Sequence, residues 1–150
     1  MKLRRYIKIL ILLLVFLVNS LIKGEAKVKE EVFIIPGSHL DLFWMGPHSE
    51  CLHRGVKILK EVIEICKDNP DFRFLVDSVV FVEYLVNNFP QYKDSLKKLI
   101  DSGQIEIAAD YVDRLENHHG GESLIRQVVL GKRWLKENLG VDSVVAHHPD

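Results

Sequence analysis

The 150 residues, 47% of them apolar, can enclose one modest core or part of a larger one. The formal charge is −1, and removing residues 1–24, which carry five basic and no acidic side chains, leaves −6 on the remainder. Such a balance excludes the basic surface that binds nucleic acid.

The first 24 residues read as a targeting segment. Lys2, Arg4, Arg5 and Lys8 precede an unbroken apolar run from Ile9 to Val18, too short for a comfortable membrane span, and Asn19 and Ser20 follow it. Residues 1–24 are therefore expected to be a signal peptide, or an uncleaved anchor, with residues 25–31 as a short linker. The product would be exported, touching a membrane only through this segment.

Val32–Ile35 is a short apolar run suited to a fully buried strand of a parallel sheet. It breaks at Pro36 and Gly37, and His39, Asp41 and Trp44 follow, where an α/β sheet places its carboxyl-end crevice. In extended backbone His39 and Asp41 share a side, their roots about 6–7 Å apart, so both can reach one ion. An imidazole and a carboxylate suit zinc, as a partial site needing further ligands. The bland alternative is a loop-bonding histidine beside a turn aspartate.

Further along, Val56, Leu59, Val62, Ile63 and Cys66 recur at helical spacing, which predicts an amphipathic helix over His53–Lys67, stopped by Asn69, Pro70 and Asp71. Cys51 and Cys66 flank it about 22 Å apart, beyond disulfide reach, so both are expected as buried or free thiols. Phe72–Val76 reads as a strand, Asp77 and Ser78 as helix caps, and Val79–Val86 as a helix. Pro90 suits the first turn of another helix, closed at Asp101, Ser102 and Gly103. Gln104–Ala109 is the third strand, and Asp110–Gly121 a polar loop. Leu124, Val128, Gly131, Leu135 and Leu139 mark one face of a long helix ending at Gly140, and Ser143–Ala146 is a fourth strand leading to His147, His148, Pro149 and Asp150.

Regular alternation predicts a parallel α/β sheet with right-handed crossovers. Four strands are too few to close a barrel, so the architecture reads as unfinished. The first and fourth strands end on the same face, where Asp150 can join His39 and Asp41; otherwise Asp150 is a solvated terminal residue. His48, His53, His118, His119, His147 and His148 are expected in loops or on the surface, the last two best placed to line the site.

Several motifs combine here: H-x-D-x-x-W at His39, Asp41 and Trp44; FVEYLVNNFPQ at Phe81–Gln91; GQIEI at Gly103–Ile107; GESLIRQ at Gly121–Gln127; GKRWLKE at Gly131–Glu137; and the closing Pro149 and Asp150. Together they resemble the amino-terminal catalytic domain of glycoside hydrolase family 38, the α-mannosidases. The resemblance implies that residues 32–150 form the first half of a seven-stranded parallel β/α barrel, with Zn2+ at the carboxyl ends of its strands. His39, Asp41 and Asp150 would be zinc ligands, Asp150 also the nucleophile, and Trp44 a wall against the sugar. The remaining histidine ligand and the general acid would lie further on. The implied substrate is a glycan with terminal α-mannosides. Family members usually carry a tryptophan and an acid after the third strand, where this chain reads YVDRLENHHGG, and those roles are not carried onto Tyr111 or Asp113. The alternatives are a zinc-dependent carbohydrate deacetylase, suggested by the HPD triplet, and an inactive or sugar-binding remnant. The isolated fragment is expected to be inactive or insoluble.

Overall fold

The computed structural model describes Leu14 and residues 31–113 and 115–147. The expected signal segment lies outside the described residues apart from Leu14, which is helical and exposed. Among the described residues no helix is long and apolar enough to cross a membrane. The chain divides into two units, residues 1–33 and 34–150, and the second carries the fold.

That unit is mixed α/β. Strands β1 (Gly37–Ser38), β2 (Phe74–Val76) and β3 (Ile105–Ile107) form a parallel sheet in the order β1-β2-β3. Gly37 pairs with Leu75 and Phe74 with Ile105. Helix α1 (His48–Asp68) links β1 to β2; α2 (Val79–Asn88), a 3₁₀ turn (Pro90–Tyr92) and α3 (Lys93–Asp101) link β2 to β3; α4 (Gly121–Leu139) follows a short 3₁₀ turn at Glu116–His118.

The first strand corrects the expectation. Val32, Phe33, Ile34 and Ile35 are exposed, and pairing begins only where Pro36 O accepts the Leu75 N–H at 2.9 Å. In the observed register Ile35 would face Arg73 and Ile34 Phe72, where the chain is still leaving the turn at Asp71 and offers no strand. The apolar run overshoots its partner.

The other elements follow the sequence closely. In α1, Leu52, Val56, Leu59, Val62, Ile63 and Cys66 are buried, while lysines and glutamates take the outer face, as a 3.6-residue period requires. Gly55 lets α1 meet α2, because a Cβ there would stand 2.8 Å from Phe81 Cε1. Asn69 ends the helix by donating both its backbone N–H and its side-chain amide to Ile65 O. Gly103 and Gly140, at φ 73° and 70°, terminate α3 and α4 in the left-handed region that glycine tolerates. Both cysteines are buried and free.

The fourth strand is present as an extended segment without a full ladder. Val145 O accepts the Ala109 N–H at 2.9 Å, and Ser143 Oγ donates to Ile107 O at 2.6 Å, so the segment runs beside β3 in the parallel sense. Lys132 of α4 secures it by donating to Ser143 O at 2.7 Å. Helix α4 approaches the end of β3 closely: a Cβ on Gly131 would collide with the Ala109 carbonyl oxygen and stand 3.1 Å from the Tyr111 nitrogen.

Candidate metal centre

Parallel strands bring their carboxyl ends to one edge, and the residues just past β1, β2 and β3 meet there. His39 and Asp41 follow β1, Asp77 and Ser78 follow β2, and Asp110 to Asp113 follow β3.

His39 stands between two carboxylates. Its Nε2 is 3.4 Å from Asp41 Oδ2 and its Nδ1 is 3.4 Å from Asp113 Oδ2. The three residues each offer a ligand atom, all within 4.8 Å of one another. His39 and Asp41 are a little over a third exposed, whereas the Asp113 side chain is only 8% exposed. Two ligands at about 2.0–2.1 Å from a tetrahedral zinc stand roughly 3.3–3.4 Å apart, so the Nε2–Oδ2 edge fits that ion and its preferred donors.

The backbone that carries this pair is tied down. Asp77 Oδ2 accepts the Leu40 N–H, between the two candidate ligands, at 3.0 Å. Asp77 is buried, and burial pushes its carboxyl up to about 6, aided by the nearby Asp113 charge and opposed by the Leu40 N–H and by His39. It is therefore an internal acceptor; the helix cap expected of it does not form. Ser78 occupies the N-cap position of α2 without capping it, and its hydroxyl instead accepts the Asp113 N–H at 3.0 Å.

Past Asp41 the chain opens to solvent. Leu42, Phe43, Trp44, Met45, Arg54 and Leu115, with His39 to Asp41, line an open cavity of about 650 Å³. Trp44 is 68% exposed and so available to a ligand face. Phe43 and Met45 hold positive φ values, 70° and 58°, which cost a non-glycine residue about 1 kcal/mol or more. The Cys51 thiol donates to Trp44 O at 3.5 Å and the Arg54 guanidinium to Met45 O at 3.4 Å, holding the turn.

The expected site residues thus divide. His39, Asp41 and Trp44 come together at one cavity; Asp150 and His148 lie outside the described residues. His48 stacks on Phe43, His53 and His119 bond to local carbonyls, and His118 is exposed, all as loop or surface residues. His147 is half-buried, its Nδ1 lacking a hydrogen-bond partner among the described residues. Asp113 is the residue that sequence reasoning passed over. Its signal was available, since it too follows a strand of the same parallel sheet.

Comparison with known proteins decides the family. The model for the glycosyl hydrolases family 38 N-terminal domain matches residues 29–150. The chain belongs to that family. It is similar to an alpha-mannosidase of Saccharomyces cerevisiae, 25% identical over 85% of this chain and 12% of the relative, and to alpha-mannosidase 2x of Mus musculus, 29% identical over 73% and 10%. The chain therefore spans about a tenth of these relatives' length. Among solved structures it is similar in fold to a family 38 protein of Enterococcus faecalis, with a TM-score of 0.66 at 22% identity, covering 79% of this chain and 14% of that one. It is also similar to a 4-alpha-glucanotransferase of Thermococcus litoralis, TM-score 0.57 at 25% identity, covering 76% and 18%. A shared fold leaves the chemistry to the site.

Proposed function

We propose that the protein carrying this chain is an exported, zinc-dependent retaining α-mannosidase that hydrolyses terminal α-mannosides of glycans. Residues 32–150 are then the first half of a seven-stranded β/α barrel, behind a signal peptide or anchor at residues 1–24 and a linker at 25–31. The observation that carries this reading is the 3.4 Å pair of His39 Nε2 and Asp41 Oδ2 beside the exposed Trp44, in a chain of this family.

His39, Asp41 and Asp150 would hold the zinc, which when bound supplies positive charge beside the sugar hydroxyls and the reacting carboxylate. Asp41 and His39 fix the donor edge. Trp44 packs its indole on the apolar face of the pyranose and orients the anomeric carbon. The Asp150 carboxylate attacks that carbon, forming an ester as the glycosidic C–O bond breaks, and a second carboxylic acid about 5 Å away protonates the departing oxygen. Water then cleaves the ester, and configuration is retained. The acid and the last histidine ligand are not assigned within residues 1–150, so these residues alone are expected to be inactive.

Changing Asp150 to Ala in the protein expressed from its complete reading frame is expected to lower hydrolysis of an aryl α-mannoside on the order of 10⁴-fold or more. Undiminished hydrolysis would overturn the assignment.

A further inference from the structure

The imidazole of His39 has two nitrogens with diverging lone pairs, and the structure gives each its own carboxylate: Nε2 faces Asp41 and Nδ1 faces Asp113. One ion cannot lie along both directions. A metal shared by His39 and Asp41 sits on Nε2, which leaves Nδ1 to carry the ring's proton. We propose that Asp113 is the positioning residue for His39, accepting its Nδ1–H so that Nε2 is left unprotonated and aimed at the metal. The inference rests on the zinc reading above and adds to it a residue to which that reading gives no role.

The mounting of Asp113 supports the assignment. Its side chain is largely buried, unlike that of Asp41, which suits an acceptor behind the ligand rather than a group facing sugar and solvent. Its loop is fastened by three bonds, two from α2 and its N-cap and one from α4. The Asp113 N–H donates to Ser78 Oγ at 3.0 Å, the Val112 N–H to Gln127 Oε1 of α4 at 3.2 Å, and the Tyr111 hydroxyl to Glu83 of α2 at 2.9 Å. On the other side Asp77 holds Leu40, next to His39. The backbone next to His39 and the loop that carries the acceptor are thus held by separate bonds, which brings imidazole and carboxylate within 3.4 Å without an ion. Such a carboxylate behind a histidine ligand fixes the tautomer and raises the basicity of the metal-facing nitrogen, and losing one typically costs 10–100-fold in metal affinity.

The test uses metal-free protein from the complete reading frame, with Zn2+ and Co2+ as probes. Asp113→Ala and the near-isosteric Asp113→Asn are expected to weaken zinc binding about 10–100-fold, with Asp113→Glu recovering part of the loss. At saturation the visible spectrum of bound cobalt should keep the wild-type band positions and intensities, because the ligands are unchanged. Wild-type zinc affinity in Asp113→Asn, or an altered cobalt spectrum at saturation in that variant, would overturn the proposal, the second by making Asp113 itself a ligand. Should Asp113→Ala not fold, Asp113→Asn carries the test. Failure of the zinc reading is distinguishable: the wild-type protein would then take up neither ion.

Discussion

His39 and Trp44 share one loop, yet they sit in opposite physical settings. Around His39 the backbone and the loop of the facing carboxylate are held by partly buried bonds of 3.0–3.2 Å from Asp77, Ser78 and Gln127. Around Trp44 the chain is exposed and turns through two left-handed non-glycine residues, held by a thiol and a guanidinium at 3.4–3.5 Å. A metal edge tolerates errors of a few tenths of an ångström, so its donors belong on rigid strand ends. A sugar face can be met by an indole with some freedom to adjust.

The comparison can be broken most severely from beneath. Gly131→Ala drives a Cβ into the backbone carbonyl of Ala109, just ahead of the Tyr111–Asp113 tether, where no side-chain rotation relieves it. A loss of about 3 kcal/mol or more is expected, read as a lower denaturant midpoint. Relief is available only by separating α4 from β3.

Asp77 sharpens the rigid side. Its carboxyl titrates near 6 when folded, against an ordinary value of about 3.9 unfolded. The folded state therefore holds the proton more tightly, and stability present below pH 4 is lost as pH rises to about 6, by up to roughly 3 kcal/mol. Asp77→Asn keeps an acceptor for the Leu40 N–H but removes the charge. In metal-free protein its stability relative to wild type should increase between pH 4 and 7; a constant difference across that range would contradict the buried-acid account.

The smallest effect on stability belongs to the open side. Trp44→Ala removes a 68% exposed ring and should change unfolding free energy by no more than about 0.5 kcal/mol. Mannoside KM should nevertheless rise, with zinc affinity unchanged. Lost zinc binding in this variant would mean that the two halves of the loop are not separable.

These contrasts also explain what could be read in advance. The helices were legible because apolar residues at 3.6-residue spacing report directly on burial, and Gly103 and Gly140 because their backbone angles demand glycine. His39, Asp41 and Trp44 were legible from their place after a break in an apolar run. The run itself misled: Val32–Ile35 has strand composition, but pairing depends on where the neighbouring strand begins, and β2 begins too late. Asp77 and Asp113 were harder. Each is one acid among several in a polar stretch, and only the parallel sheet brings both against the β1 loop. Applying to Asp113 the convergence argument used for Asp150 would have found it.

The most direct test of the account is metal content. Protein from the complete reading frame, stripped with chelator and re-equilibrated with zinc, is predicted to hold one tightly bound zinc per chain, lost in both His39→Ala and Asp41→Ala while the fold is retained. A zinc-free wild-type protein, or full zinc occupancy in both variants, would contradict it.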